Sequence, residues 1–344
     1  MIIFSQSFFV ILYPIFFVMQ DYLTEIRRPI EVELERFDTI YNDSLSHTNG
    51  MLGEALNYIR QRSGKRMRPI LTILIAKSFG KVNEKTYLAG VGLELLHTAS
   101  LVHDDVVDEA DRRRGQQSVN SAYNNKVAVL VGDYILSTAL LNVAKTCDTK
   151  IMEKLSELGC TLANGEIMQL TTNDENTISE EAYYSIIEQK TAALFETCCV
   201  MGAMSVNATE EETYEAGKFG RILGTIFQIR DDIFDYYDMP QLGKPTGNDM
   251  TEGKLTLPAI HALLASGDEE ALSIAHRVKK FEATMEDIAK LIDFTKKNGG
   301  IEYAEQVMRR MHEEALQFIE KRVGDKTIKS SLTTYLDYCI KRTL

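Results

Sequence analysis

The feature that most constrains the fold is a long interval without proline. The chain has 344 residues but only six prolines, and none lies between Pro69 and Pro240. Apolar residues recur in this interval at spacings of three and four, which is the period of an amphipathic helix. One such face comprises Leu88, Val91, Leu95, Thr98 and Val102. Because no linker or composition shift divides residues 20–344, the sequence predicts an all-α fold, a single large helical bundle.

Composition narrows the class of function. Hydrophobic residues make up 44% of the chain, which is ample for a buried core. The net charge of −12 argues against general nucleic-acid binding. The five cysteines are scattered and odd in number, so they suit neither a disulfide framework nor a zinc site. We therefore expect a cytoplasmic protein.

The first 18 residues differ from the rest because they are apolar and carry no charged side chain. No positive residues precede this segment and no small-residue cleavage site follows it, so it lacks the marks of a secretory signal. A start codon assigned too early, with Met19 as the true start, explains the segment best. A membrane anchor is the second explanation, and a structural helix the third. The expected domain organisation is an extension at residues 1–18 followed by one domain at residues 19–344.

Two acidic motifs with the same pattern follow apolar helical runs, at Asp104–Asp108 and Asp231–Asp235. Residues four apart share a helix face, so the first and last aspartates of each motif point together. A single acidic turn is usually a solvated helix end. Two copies of the motif bring together like charges, which hard cations would neutralise. Oxygen ligands suit Mg²⁺, whose coordination shell is usually completed by substrate phosphates. The motifs therefore predict a diphosphate held by Mg²⁺ between two helices.

Basic residues flank the first acidic motif on both sides. Upstream, Gly64–Pro69 places three cations in a loop that enters a helix, and helix N-termini favour anions. His97 lies about two helical turns before Asp104, although a lone helical histidine is more often a core residue. Downstream, the guanidinium groups of Arg112–Arg114 suit diphosphate oxygens. The pattern predicts phosphate binding around the motif.

These motifs occur in an order that resembles the trans-isoprenyl diphosphate synthases, the polyprenyl synthetase family, across about residues 50–260. The matching residues are Gly64-Lys65-Arg66-x-Arg68-Pro69, Leu101-x-His103-Asp104-Asp105-x-x-Asp108-x-x-x-x-Arg113-Arg114-Gly115, Gly165-Glu166, Lys190-Thr191, Phe227-Gln228-x-x-Asp231-Asp232-x-x-Asp235 and Gly243-Lys244-Pro245-x-Gly247-x-Asp249. The resemblance implies a bundle of the isoprenoid synthase type with a central apolar tunnel. It also implies a homodimer.

The activity that the resemblance implies is a Mg²⁺-dependent, head-to-tail (1'-4) condensation. Isopentenyl diphosphate would react with an allylic diphosphate to give an all-trans polyprenyl diphosphate. Three Mg²⁺ ions are expected with substrate bound. The implied metal ligands are Asp104, Asp108, Asp231 and Asp235, the last through water, with Asp105 and Asp232 also in supporting positions.

The resemblance also assigns the substrate contacts. The residues expected to grip isopentenyl diphosphate are Lys65, Arg68, His97 and Arg114. Arg113 would hold the allylic diphosphate, and Thr191 and Gln228 would place dipoles near the allylic cation. The residues expected to contact the departing diphosphate are Lys190, Lys244 and Lys254. The stretch from Gly243 to Gly253 is the expected lid, and His103 is expected to be structural.

Product length depends on residues before the first acidic motif. Ala99 and Ser100 are small, and bulky aromatics at these positions accompany short products in the family, so we expect a long chain such as that of a respiratory quinone. The candidate floor residues of the tunnel are Leu95, Leu96, Leu140 and Leu141. A short-chain farnesyl or geranylgeranyl synthase is the main alternative. A terpene cyclase or a non-catalytic partner subunit is disfavoured because the chain keeps both aspartate motifs and its basic site.

Overall fold

The computed structural model describes residues 22–48, 50–61, 64–113, 115–172, 177–237 and 246–341. The N-terminal extension, Arg114 and Lys244 lie outside these described residues, so the predictions made for them stay predictions.

Helices dominate the described residues, and the first half of the chain contains α1 to α9. They are α1 at residues 22–27, α2 at Glu31–Ser44, α3 at Gly50–Arg60, α4 at Met67–Phe79, α5 at Glu84–Val107, α6 at Val119–Ala122, α7 at Asn125–Ala144, α8 at Thr149–Thr172 and α9 at Glu180–Ile187. A short 3₁₀ turn, Arg28–Ile30, joins α1 to α2. The strands β1 (Arg112–Arg113) and β2 (Gln116–Gln117) pair as a small antiparallel hairpin after α5.

The second half begins with a π-helical segment, Glu188–Ala192, that continues α9. The helices that follow are α10 at Ala193–Ser205, α11 at Glu210–Phe234, α12 at Asn248–Thr251, α13 at Leu257–Ser266, α14 at Glu269–Lys279, α15 at Met285–Lys297, α16 at Gly300–Arg322 and α17 at Lys326–Lys341. The predicted all-α fold is confirmed.

The core is built around α10, which is apolar on nearly every side and therefore buried. Helices α4, α5, α8 and α11 pack around it. The π-helical segment that precedes α10 also approaches α11 closely, because Gly224 has no side chain: a Cβ there would lie 2.5 Å from the Cα of Ala192. The rings of Phe195 and Phe227 meet one turn further along, with centroids 5.3 Å apart. This packing fixes the π-helical segment against the middle of α11.

Helices α5 and α11 carry the two acidic motifs at their C-terminal ends. Each begins with a capping box, Asn83 with Thr86 on α5 and Thr209 with Glu212 on α11, which fixes where the helix starts. They are 24 and 25 residues long, and each reaches the first aspartate of its motif after about six turns. The N-terminal caps of the two helices therefore help to set where the aspartates of each motif lie at the C-terminal ends.

Helix α7 lies along α5 and leaves an apolar outer face. Leu130, Leu140 and Leu141 are 67%, 41% and 58% exposed. Leu140 and Leu141 therefore do not border an internal tunnel of this chain, because the opposite face of α7 is the one that packs on α5. Among the described residues, α7 is also the one helix long and apolar enough to cross a membrane by length and composition.

Candidate active site

The first acidic motif lies at the C-terminal end of α5. Asp108 caps the helix, and its backbone N–H donates to the carbonyl oxygen of Asp104 at 2.8 Å. Asp105 points into the protein, where its carboxylate accepts a hydrogen bond from Nε of Arg113 at 2.6 Å. This ion pair joins the hairpin to the helix. It therefore fixes Arg113, a predicted diphosphate ligand, beside the motif.

The carboxylates that are one turn apart, Asp104 and Asp108, lie in an environment that disfavours their negative charge. Burial and the neighbouring carboxylate of Glu166 raise the pKa of Asp104 to about 6, against the opposing effects of Lys190 and Arg113. Burial also raises the pKa of Asp108. A bound cation would relieve this strain, because it stabilises the ionised carboxylates.

Lys190 reaches this acidic end from the π-helical segment. Its Nζ lies 2.5 Å from Oε2 of Glu166 and donates to Oε1 of Gln169 at 2.8 Å. A π-helical turn inserts an extra residue and so re-aims the side chains on it. The sequence did not predict this turn or the contact with Gln169. Gln169 lies one turn beyond Glu166 on the same face of α8, and that spacing could have revealed it.

The second acidic motif is organised by a chain of hydrogen bonds. The hydroxyl of Thr191 donates to Gln228 at 2.7 Å, and the amide of Gln228 donates to Asp232 at 2.8 Å. Tyr183 donates to the other oxygen of Asp232 at 2.5 Å. Burial and the charge of Asp249 raise the pKa of Asp232 well above its ordinary value. Tyr183 was not predicted, because α9 meets α11 only in the folded chain.

Asp235 ends α11 and holds the chain that returns to the site. Its two carboxylate oxygens accept the backbone N–H groups of Asn248 and Asp249, each at 3.0 Å, and its carbonyl accepts from Gly247 at 2.9 Å. Asp235 therefore anchors α12, beyond the segment that contains Lys244. The metal-binding roles of Asp231 and Asp235 stay predictions.

Lys254 places a positive charge near Asp108 of the first acidic motif and near Asp249, which Asp235 of the second motif holds. Its Nζ lies 2.5 Å from Oε2 of Glu252. Burial lowers its pKa, but the hydrogen bond to Glu252 and the charges of Asp249 and Asp108 outweigh that effect and leave the pKa raised. The side chain therefore stays a full cation between the motifs, as its predicted contact with a diphosphate requires.

Of the predicted isopentenyl diphosphate residues that the structure describes, Lys65 lies in the loop before α4, Arg68 on α4 and His97 on α5. Lys65 donates to the hydroxyl of Tyr338 at 3.1 Å, and the guanidinium of Arg68 lies 5.8 Å from the ring centroid of Phe195. Within the described part of the chain, Nε of Arg68 is buried without a hydrogen-bond partner. A buried donor of this kind is costly unless an acceptor arrives. His97 is half-buried on α5.

A cavity of about 260 Å³ lies beside Lys190 and Lys254. Its polar lining includes Gln169, Lys190, Thr191, Gln228, Asp232 and Lys254. Its apolar lining includes Ile178, Ile186, Ile187, Leu255 and Ile260. The combination suits a molecule that has an anionic end and a hydrocarbon end.

The predicted product-length residues sit in the middle of α5. Ala99 is 1% exposed, and Ser100 donates its hydroxyl to the carbonyl oxygen of His97 at 3.0 Å. Leu95 and Leu96 are buried one turn earlier. Small side chains therefore stand between the acidic motif and a buried leucine pair, and the roles of Ala99 and Ser100 stay predictions.

The residues present fit a hard cation. The donors around Asp104 and Asp108 are carboxylate oxygens, with Glu166 close enough to raise the pKa of both. No group of three acidic, histidine or cysteine side chains in the described residues forms a metal site by itself. Mg²⁺ commonly keeps waters and takes phosphate oxygens beside one or two carboxylates, so this donor set suits it.

Comparison with known proteins identifies the family. Residues 49–295 match the family model for polyprenyl synthetase. The chain is 34% identical over 299 residues to octaprenyl diphosphate synthase of Haemophilus influenzae, covering 87% of this chain and 90% of that protein. It is 33% identical over 304 residues to heptaprenyl diphosphate synthase component 2 of Geobacillus stearothermophilus, covering 88% and 91%.

A solved structure agrees with these relatives. The fold matches geranylgeranyl pyrophosphate synthase from Bacteroides thetaiotaomicron with a TM-score of 0.82 and 44% sequence identity, covering 94% of this chain and all of that one. Since the family model spans most of the chain and the relatives align along most of their length, the chain belongs to the polyprenyl synthetase family of prenyltransferases.

Proposed function

We propose that the protein condenses isopentenyl diphosphate with an allylic diphosphate, head to tail, and extends the product to a long all-trans polyprenyl diphosphate. The observation that carries the proposal is the convergence of Asp104 and Asp108 with Lys190 and Lys254. Carboxylates and lysines that lie together in this way suit a metal-bound diphosphate. The guanidinium of Arg68, whose Nε is buried without a hydrogen-bond partner among the described residues, suits a second diphosphate.

In the proposed reaction the chain's cations prepare the leaving group. Lys190 exchanges its contact with Glu166 for the allylic diphosphate, and Lys254 adds a second positive charge. When bound, Mg²⁺ supplies further charge stabilisation at the same oxygens. The allylic C–O bond then breaks, because negative charge that develops on the diphosphate is already neutralised.

The new bond forms at the allylic carbon. Lys65, Arg68 and His97 hold isopentenyl diphosphate so that its double bond attacks the delocalised cation, which is an effect of orientation. The oxygens of Thr191 and Gln228 lie 2.7 Å apart beside the cavity and place their dipoles near that cation. A proton then leaves the condensed chain for the released diphosphate. Water is excluded by the apolar lining.

Product length is the finer part of the proposal. The octaprenyl and heptaprenyl relatives have long-chain names, whereas the geranylgeranyl structure carries a short-chain name. The small side chain of Ala99, which is buried on α5 before the acidic motif, supports the long-chain assignment, because bulky aromatics at this position accompany short products in the family. We propose a chain longer than geranylgeranyl that serves as the side chain of a respiratory quinone.

The proposed assembly is a homodimer in the cytoplasm that uses three Mg²⁺ ions. The exposed leucines of α7 support a dimer, because a second copy would cover them. The name of the Geobacillus relative, component 2, makes a heteromeric synthase the alternative. We also propose peripheral contact with a membrane, through the product or the N-terminal extension.

Substitution of the aspartates tests the catalytic assignment. Asp104→Ala and Asp231→Ala should each lower the rate of isopentenyl incorporation by at least about a hundredfold, because both remove charge that holds the leaving group. Helicity measured by circular dichroism should be unchanged. Asp293→Ala, on an exposed face of α15, is the matched control. Near-normal rates in either active-site variant would refute the assignment.

A further inference from the structure

Arg66 stands between Lys65 and Arg68 and is not among the predicted ligands. Its backbone is left-handed, with φ 54° and ψ 32°, at the residue that precedes α4. Residues with a Cβ rarely adopt this conformation, because the Cβ crowds the following carbonyl oxygen. The surrounding structure must therefore hold Arg66 in place, and the left-handed turn sets the direction of the basic loop at residues 64–66.

The side chain of Arg66 supplies that hold. It is only 10% exposed and turns inward. Its Nη1 lies 3.2 Å from Oε1 of Glu94 on α5, and its Nε lies 3.5 Å from Oδ1 of Asp38 on α2. Its guanidinium carbon lies 3.9 Å from the ring centroid of Tyr41. Two carboxylates and an aromatic face thus fix one guanidinium in a buried setting.

The backbone of the same loop is held from the other side. Nη2 of Arg27 donates to the carbonyl oxygen of Lys65 at 2.6 Å. Arg27 therefore fixes the main chain of the loop at Lys65, and Arg66 fixes the left-handed turn through its own side chain. The ammonium group of Lys65 remains on Tyr338, and Nε of Arg68 lacks a partner among the described residues.

The contacts of Arg66 lead to the turn of α5 that carries His97. Glu94 lies one helical turn before His97. The carbonyl oxygen of Glu94 accepts from the hydroxyl of Thr98 at 2.7 Å, and that hydroxyl lies 3.3 Å from the hydroxyl of Tyr41. The basic loop and the histidine helix are thereby held in register by one buried cluster.

We propose that Arg66 is a positioning residue for isopentenyl diphosphate. Through Glu94 it holds Lys65 and Arg68 at a fixed distance from His97, so that three donors, from the basic loop, α4 and α5, meet one diphosphate. This inference rests on the proposed function. Its consequence is specific: loss of Arg66 weakens the isopentenyl site and leaves the allylic site, built on α5, α8 and α11, intact.

The test is a comparison of Michaelis constants. Arg66→Met should raise KM for isopentenyl diphosphate by at least about tenfold, the effect of losing one well-placed charged contact. KM for farnesyl diphosphate and kcat should change by less than about threefold. Arg66→Lys and Glu94→Gln should fall between Arg66→Met and the unaltered chain, since each keeps part of the cluster.

The control is Arg277→Met, which breaks a guanidinium–carboxylate pair with Asp287 away from the site and should leave both constants unchanged. Equal changes in the two Michaelis constants, or a lower melting temperature with both constants unchanged, would overturn the proposal. If Arg66→Met does not fold, the same comparison of the two Michaelis constants is made with Arg66→Lys and Glu94→Gln.

Failure of the proposed function is recognised separately. An unaltered chain that incorporates no isopentenyl diphosphate contradicts that function. Calorimetric titration with inorganic pyrophosphate then compares the unaltered chain with Arg66→Lys. Weaker binding by the variant supports the positioning role, and equal binding overturns it.

Discussion

Asp104 is ionised at neutral pH in a place that disfavours its charge. Its pKa is raised from 3.8 to about 6, chiefly by burial and by Glu166. Because the folded pKa lies above the unfolded one, the folded state loses stability as the pH rises from about 4 to about 6, and the loss persists above that window. The charge on Asp104, which the proposed chemistry needs, therefore lowers the stability of the folded protein when no metal is bound.

Asp104→Asn should make the metal-free protein more stable while abolishing turnover. Removal of the charge should add about 1 kcal/mol to the free energy of unfolding at pH 8, after allowance for solvent screening. Denaturant unfolding without Mg²⁺ measures this. The gain should vanish at pH 4, where Asp104 is protonated. A variant less stable than the unaltered chain at pH 8 would contradict this electrostatic account.

Helix α9 supports the second acidic motif through the hydroxyl group of Tyr183. Tyr183 is buried, and burial with the nearby charge of Asp232 raises its pKa well above the ordinary value. It therefore stays protonated, and its hydroxyl donates a hydrogen bond to Asp232, which also accepts a hydrogen bond from Gln228. The second acidic motif thus depends on two helices, α9 and α11, staying in register.

Tyr183→Phe should loosen that motif. A buried acceptor loses one of its two donors, so the free energy of unfolding should fall by about 1–3 kcal/mol. The rate of condensation should fall by about tenfold, because Asp232 no longer fixes Gln228 beside the allylic cation. Steady-state kinetics and urea unfolding measure both effects. Tyr184→Phe is the adjacent control, and equal behaviour of the two variants would rule out the role of Tyr183.

The elements show where sequence reasoning succeeds and where it stops. Helix periodicity and one-turn spacing were enough to place Asp104 with Asp108, and the family motifs placed Lys190, Thr191 and Gln228. The π-helical turn and the hydroxyl of Tyr183 were not found. They depend on packing between helices distant in sequence, such as the close approach at Gly224, and no local pattern encodes that contact.

At the scale of the whole molecule, α7 presents an apolar surface that a second copy would cover in the proposed homodimer. Leu130, Leu140 and Leu141 lie exposed along α7. Leu140→Glu should weaken the proposed homodimer by more than about tenfold, because it places a charge in an apolar interface. Sedimentation velocity measures the change, and Leu264→Glu, at an exposed leucine of α13, is the control. A monomeric unaltered chain, or an unaffected variant, would contradict this assembly.

The most direct test of the account is the length of the product. The full chain is incubated with farnesyl diphosphate, labelled isopentenyl diphosphate and Mg²⁺, and the dephosphorylated products are separated by chain length. We predict a ladder that ends well beyond geranylgeraniol, since the side chain at Ala99, before the acidic motif, is small. A product that stops after one addition would contradict the long-chain assignment, and an absence of incorporation by folded protein would contradict the proposed reaction itself.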